Sequence, residues 1–213
     1  VRLAQLTATE GMTLAYEGID GVVRSTTIHL TPPPTRVGQQ WLEYRVDLEP
    51  HHERETTMRV TCSDIEARPE PLHFPQAHER LAASYQMFRD RICLIETPFV
   101  TFHQWLARSY TDLHMLLTET PAGIYPYAGI PWFSTPFGRD GLITALMCLG
   151  IDPEIARGVL RFLARFQAED VDPERDAAPG KILHEMRHGE MANLNEVPFG
   201  LYYGSIDATP LFV

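Results

Sequence analysis

The sequence predicts an α+β chain in which a partial antiparallel β-sandwich precedes a group of helices. Apolar residues recur at every second position in the first third and at every third or fourth position beyond residue 75. The composition is compatible with that reading. At 213 residues, with 44% hydrophobic and 10% aromatic content, the chain can bury a sizeable core. These values exclude a disordered chain or a collagen-like fibre.

The period of two is clearest from Leu42 to Leu48, where Leu42, Tyr44, Val46 and Leu48 alternate with Glu43, Arg45, Asp47 and Glu49. That pattern predicts a strand with one buried and one wet face. Met58, Val60 and Cys62 repeat it against Thr57, Arg59 and Thr61, and Pro50 to Thr56 would be the hairpin loop between the two. Thr13 to Tyr16 and Val22 to Leu30 read as strands around a turn at Gly18 to Gly21, with Pro32-Pro33-Pro34 closing them off. The polar, proline-bearing stretch from Ser63 to Pro75 reads as a linker.

Beyond it the period is helical. Leu81, Tyr85, Phe88, Ile92 and Ile95 form one stripe; Phe102, Trp105, Leu106, Leu113, Leu116 and Leu117 form a second. A third helix starts with Asp152 as N-cap and Pro153 at the first helical position, and buries Ile155, Val159, Phe162, Leu163 and Phe166. Two long loops, Pro121 to Gly138 and Glu169 to Ser205, are rich in Gly, Pro and aromatic residues. Loops of that length in a compact domain commonly carry function. The expected boundaries are 1–62 for the strands, 63–98 for a linker with a helix, and 99–213 for the helical part.

Charge and cysteine content narrow the function classes. Lys and Arg total 18 against 28 Asp and Glu, a net charge of −10, which argues against a nucleic-acid surface. No apolar run approaches the roughly 18 residues that cross a bilayer, and the N-terminus has no signal-peptide pattern. Cys62, Cys93 and Cys148 are far apart and odd in number, which predicts buried free thiols in a reducing, cytoplasmic setting. The chain starts at Val1 without an initiator Met and stops at Leu211-Phe212-Val213 inside an apolar, helix-like stretch. It is therefore expected to be a piece of a longer one.

Three segments could carry chemistry. Ala128 to Asp140 alternates Trp132, Phe133 and Phe137 with Gly and Pro and ends on the pair Arg139-Asp140 at a helix start. Aromatic rings stack on the apolar faces of sugars, and a charged planar group serves several hydroxyls. Asp140 is equally explained as an N-cap, and the two roles are compatible. Tyr202 to Pro210 repeats the design, with Tyr203 before Asp207, and there too a plain cap is the alternative.

The third segment, His184-Glu185-Met186-Arg187-His188, matches the H-E-x-x-H pattern of zinc peptidases, in which two imidazoles lie one helical turn apart. It sits between Pro179-Gly180 and Gly189, where little helix is available, so a polar loop with internal salt bridges is the competing reading. Phosphate-loop, dinucleotide and hydrolase-elbow glycine motifs do not occur. No metal and no cofactor are expected.

AGIPWFSTPFGRDGLITAL (128–146), PGKILHEMRHGEMA (179–192) and YYGSIDATPLF (202–212) together resemble the bacterial amylo-α-1,6-glucosidase, or glycogen-debranching-like, family. The resemblance is strong from about residue 100 onward and weak upstream. It implies that residues 99–213 are the first part of an (α/α)6 toroid related to glucoamylase-like glycosidases, behind an N-terminal β-sandwich. It also implies an α-glucan or oligosaccharide substrate, hydrolysed at α-glucosidic bonds, α-1,6 branch points above all, with inversion.

By the same resemblance Arg139 and Asp140 hold the non-reducing glucose, with Trp132 and Phe133 as wall. Lys181, His184 and Glu185 then become sugar-binding candidates in place of zinc ligands, and Tyr203 and Asp207 lie on the same rim. Inversion needs an acid and a base about 6.5–9.5 Å apart. In the family these lie in a later Trp-x-Asp segment and a later Glu, beyond Val213. The 213 residues alone are then expected to be inactive. Asp207 is an alternative acid, although its helix-start position fits substrate contact better. A non-catalytic α-glucan-binding module is the other reading.

Overall fold

The computed structural model describes residues 2–8, 11–38, 41–64 and 72–213. The chain divides into two compact units, Val1–Leu81 and Ala82–Val213.

In the first unit β1 (Arg2–Ala8), β2 (Gly11–Glu17) and β3 (Val23–Thr31) run antiparallel in sequence. The β2–β3 turn is the expected one: Gly18 N–H donates to Val22 O at 2.9 Å, and Gly21 closes it with φ of +76°. β4 (Arg36–Val37) and β5 (Leu42–Glu43) form a two-residue ribbon, and β6 (Thr57–Ser63) completes a sheet of order β1-β2-β3-β6.

Two sequence expectations fail here. The strand over Leu42–Leu48 stops at Glu43, and β6 pairs with β3 (Ile28 opposite Val60) instead of forming a hairpin with it. Side-chain bonds replace ladder pairing in that segment: Tyr44 Oη donates to Pro32 O, and Arg45 N–H donates to Thr35 Oγ1. The faces of β6 are also reversed. Met58 and Val60 are 64% and 52% exposed, whereas Thr57, Arg59 and Thr61 are half-buried. The alternation in β6 therefore marks an exposed apolar face and not a buried one.

The expected linker over 63–75 falls largely on residues outside the described ones. Its end is corrected: α1 (Phe74–Arg91) already starts at Phe74. The second unit takes in α1 from Ala82 onward, and α2 (Val100–Leu116) follows. The stripe expected from Leu81 to Ile95 holds at Phe88 and Ile92, which meet Tyr110 in a small core, whereas Leu81 and Ile95 are exposed. The stripe on α2 holds only in its second half, because Phe102 and Trp105 are exposed and pack on each other with ring centroids 5.5 Å apart.

Leu117, expected in the helix, begins β7 (Leu117–Thr120), which pairs with β8 (Gly123–Pro126). The hairpin occupies the start of the expected long loop Pro121–Gly138. α3 (Gly138–Met147) and α4 (Pro153–Arg165) follow, then a long loop carrying short α5 (Glu190–Asn193), and α6 (Ala208–Phe212).

The main core gathers Tyr125 of β8, Leu142 and Ala145 of α3, Ile155, Val159, Phe162 and Leu163 of α4, and Ile182 and Leu183 of the long loop. α4 reads as its sequence predicts. Asp152 Oδ1 accepts the Glu154 N–H at 3.1 Å, with Pro153 in the first turn. Gly158 lets α4 lie directly on β8, since a Cβ there would overlap the Ile124 carbonyl. All three cysteines are free, but only Cys148 is buried; Cys62 and Cys93 are exposed, against expectation. No helix among the described residues is long and apolar enough to cross a membrane.

Candidate functional site

The start of α3 is built against the chain that carries His184. Tyr125, buried on β8, donates its hydroxyl to Phe137 O at 2.8 Å, which fixes the residue before the helix. Burial pushes the Tyr125 phenol well above its ordinary pKa, so it remains a donor at any physiological pH. Gly138 N–H donates to His184 O at 2.8 Å, and a Cβ at Gly138 would overlap the Leu183 carbonyl. Only glycine permits that approach. The approach brings Arg139 and Asp140 beside His184.

A cavity of about 460 Å³ opens there. Tyr127, Phe133 and Phe137 supply its aromatic wall, and Arg139, Asp140 and His184 supply its polar groups. The size and the mixed lining are those of a small-ligand site. His184 stands edge-on between Phe137 and Tyr202, at 5.8 and 5.9 Å between centroids. Its Nδ1 is buried without a hydrogen-bond partner in the protein. A buried polar atom without a partner costs free energy that a ligand hydroxyl would recover.

Arg139 joins two carboxylates. Its Nε donates to Asp140 Oδ1 at 3.2 Å and its Nη1 to Asp207 Oδ2 at 3.4 Å. The Asp140 bond first, then the Asp207 bond, hold the guanidinium pKa above its ordinary value. These bonds are longer than the roughly 2.7–2.9 Å of tight charged pairs. A ligand hydroxyl can therefore compete for the same donors.

The expected capping roles are not taken up. Asp140 lies inside the first turn of α3, whose N-cap is Phe137. Its charge there suits the positive end of the helix dipole. Asp207 does occupy the N-cap of α6, yet its side chain makes no capping bond. Oδ1 accepts from the Ser205 hydroxyl and Oδ2 from Arg139. Those two bonds, that from Ser205 foremost, hold the Asp207 carboxyl below the usual carboxylate range. A general acid needs the opposite shift.

The sign of that shift fixes a pH dependence. The stabilisation from ionised Asp207 is complete above the ordinary aspartate pKa of about 3.9 and is lost as pH falls through its lower folded value. Ser205→Ala should move the Asp207 titration upward toward that ordinary value in a carboxyl-carbon NMR titration. An unmoved titration would show that Ser205 does not hold this carboxylate.

The other expected site residues are dispersed. Trp132 is 77% exposed and lies outside the cavity lining. Lys181 turns away to Asp176, donating to its O at 2.6 Å and its Oδ1 at 3.0 Å. Tyr203, expected on the rim, is buried in the core and donates to Phe166 O at 2.9 Å. Glu185 is buried, and its Oε2 accepts from Arg187 Nε at 2.8 Å.

The zinc reading of 184–188 is overturned by the same arrangement. The pentapeptide is extended, with Glu185 bridged to both Phe137 and Tyr202, so the two imidazoles do not share a helix face. Among the described residues no group of three or more His, Cys, Asp or Glu is placed to hold a metal ion.

Sequence reasoning missed Tyr127, Ser205 and Arg187. The first had a signal in Thr120-Pro121-Ala122-Gly123, a turn between short β-prone runs. The other two act through partners that local patterns do not reveal.

Residues 2–59 match the family model described as the N-terminal domain of (some) glycogen debranching enzymes. No curated protein matches the chain. The family match is consistent with an N-terminal portion of a debranching-enzyme-like protein.

Proposed function

We propose that this chain is the sugar-gripping part of a glycoside hydrolase that cleaves α-glucosidic bonds, α-1,6 branch points above all, in glycogen-like glucans with inversion. The cavity beside Arg139 is the observation that carries the proposal. A terminal glucose would lay its apolar face on Phe133, which is 54% exposed, and its hydroxyls on Arg139 and Asp140, with Phe137 and His184 backing the wall. The debranching-enzyme match over residues 2–59 supports the glucan class. α2, α3 and α4 would be early helices of an (α/α)6 toroid, with the β-unit as part of a sandwich.

Proton transfer is assigned elsewhere. Asp207 is held ionised by Ser205 and Arg139, and Glu185 is spent on Arg187. Inversion needs one carboxyl kept protonated and a second that activates water on the opposite face. Asp207, whose carboxyl is held below the usual range, is not arranged for the first task. That observation also favours the second reading, a module that binds α-glucan without cleaving it.

One titration separates the possibilities. The 213 residues should bind malto- and isomalto-oligosaccharides by calorimetry without releasing glucose, and a longer protein that contains them should release it. Binding by both with turnover by neither would favour the binding module. Absence of any sugar binding would remove both readings.

A further inference from the structure

We propose that Arg187 is a positioning residue that sets the outer wall of the cleft, holding Trp132 outside the cavity as a platform for a second sugar unit. The proposal rests on the glucan reading above for the ligand, and on contacts of Arg187 for the mechanism.

Those contacts converge on the aromatic loop. Arg187 Nη1 donates to Trp132 O at 2.9 Å, Nε donates to buried Glu185 at 2.8 Å, and the guanidinium carbon lies 5.8 Å from the Phe137 ring centroid. One side chain thus ties the carbonyl of the exposed aromatic to a fixed carboxylate. The carboxylate is fixed because Glu185 is bridged to Phe137 on one side and to Tyr202 on the other. The neighbouring backbone is fastened too: Thr135 Oγ1 donates to Met186 O, and Met186 N–H donates to Pro136 O at 3.3 Å.

The carbonyl that Arg187 holds joins two rings with different surroundings. Phe133 lines the cavity, whereas Trp132 is 77% exposed and stands beside it. A large aromatic held in water by an ion pair whose arginine is one-third exposed gains little for stability. The contribution of such a pair is to geometry more than to folding free energy. The planar fork of arginine can serve two acceptors at fixed angles, which a lysine ammonium cannot reproduce. Sugar stacking on Trp132 would require just such a fixed carbonyl, because the ring is attached to the loop and to little else.

The test uses Trp132 as its own probe. Trp41 and Trp105 are the other two tryptophans, and W41F/W105F leaves Trp132 as the single emitter. In that background Arg187→Ala should change Trp132 emission without sugar present. It should also weaken maltotriose binding roughly tenfold while leaving methyl α-glucoside affinity within about twofold, since only the longer ligand reaches the platform. Arg187→Lys should fall between. Glu185→Gln, which keeps the acceptor and loses the charge, supplies a milder perturbation should the alanine variant fold poorly, and it should shift Trp132 emission in the same direction.

Unchanged Trp132 emission in Arg187→Ala and Glu185→Gln would overturn the positioning role. So would equal losses for maltotriose and methyl α-glucoside, which would place Arg187 in the service of the whole cavity. If the parent protein binds neither sugar, the glucan reading fails, and the sugar-free emission still decides whether Arg187 holds the loop.

Discussion

Asp152→Ala should lower the stability of the helical unit by about 2–3 kcal/mol, a large loss for a polar side chain. Asp152 is 1% exposed and has two tasks. Oδ1 caps α4 through the Glu154 N–H, and Oδ2 accepts from Arg91 Nε at 2.9 Å and Nη2 at 2.7 Å. Arg91 comes from α1, and Cys93 N–H donates to Ile151 O at 2.8 Å beside it, so one carboxylate starts α4 and joins it to α1.

Removing it costs the cap, about 1 kcal/mol, and leaves Arg91 without its anion. A fully buried partner left alone costs about 3–5 kcal/mol. Arg91 is 37% exposed and can rehydrate in part, which brings the sum down to the value given. Asp152→Asn, which keeps the cap and loses the charge, should cost less than the alanine change. Urea unfolding followed by far-ultraviolet circular dichroism measures both. Equal stability of the alanine variant and the parent protein would mean that neither task matters.

Arg139→Ala should weaken oligosaccharide binding by at least tenfold and leave folding nearly unchanged. The asymmetry follows from exposure. Arg139 and its partners Asp140 and Asp207 are each about two-fifths exposed, and ion pairs at that exposure contribute between nothing and about 1 kcal/mol to stability. Hydrogen bonds from a charged donor to a ligand contribute about 1.5–3 kcal/mol, which corresponds to roughly ten- to a hundredfold in affinity. The alanine variant also leaves Asp140 and Asp207 without the cation between them. Arg139→Lys should recover little, since a point charge cannot bridge two carboxylates and sugar hydroxyls in one plane. Calorimetric titration with maltotriose, beside thermal unfolding of the same samples, measures the two effects separately.

What could be read from the sequence was local. Asp152-Pro153 and the stripe Ile155, Val159, Phe162 and Leu163 place α4, because a cap and its helix lie within a few residues of each other. The sequence of the aromatic loop likewise shows Phe133, Arg139 and Asp140, which the fold brings to one cavity. Features that depend on distant partners were not. Leu42–Leu48 alternates as well as any strand here, yet β3 takes β6 as its neighbour, and the segment is tied through the Tyr44 hydroxyl and through the Arg45 N–H, which donates to the Thr35 side chain.

Met58 and Val60 were assigned to a buried face that is open among the described residues. The family resemblance puts Tyr203 and Asp207, four residues apart, on one rim. The core instead claims Tyr203 through Phe166 O, while Ser205 and Arg139 claim Asp207. The resemblance put Asp207 on the same rim as Arg139, but the bond between them joins residues 68 apart in the chain and has no local signal.

The most direct measurement is an NMR titration of the 15N-labelled chain with maltotriose, observing the Arg139 Nε–Hε and the His184 ring. Saturable shifts at both, with Phe133 and Phe137 ring signals moving at the same midpoint, are the result predicted for a sugar seated in this cavity. Binding that leaves Arg139 and His184 unmoved, or that shifts only residues of the β-unit, would contradict it.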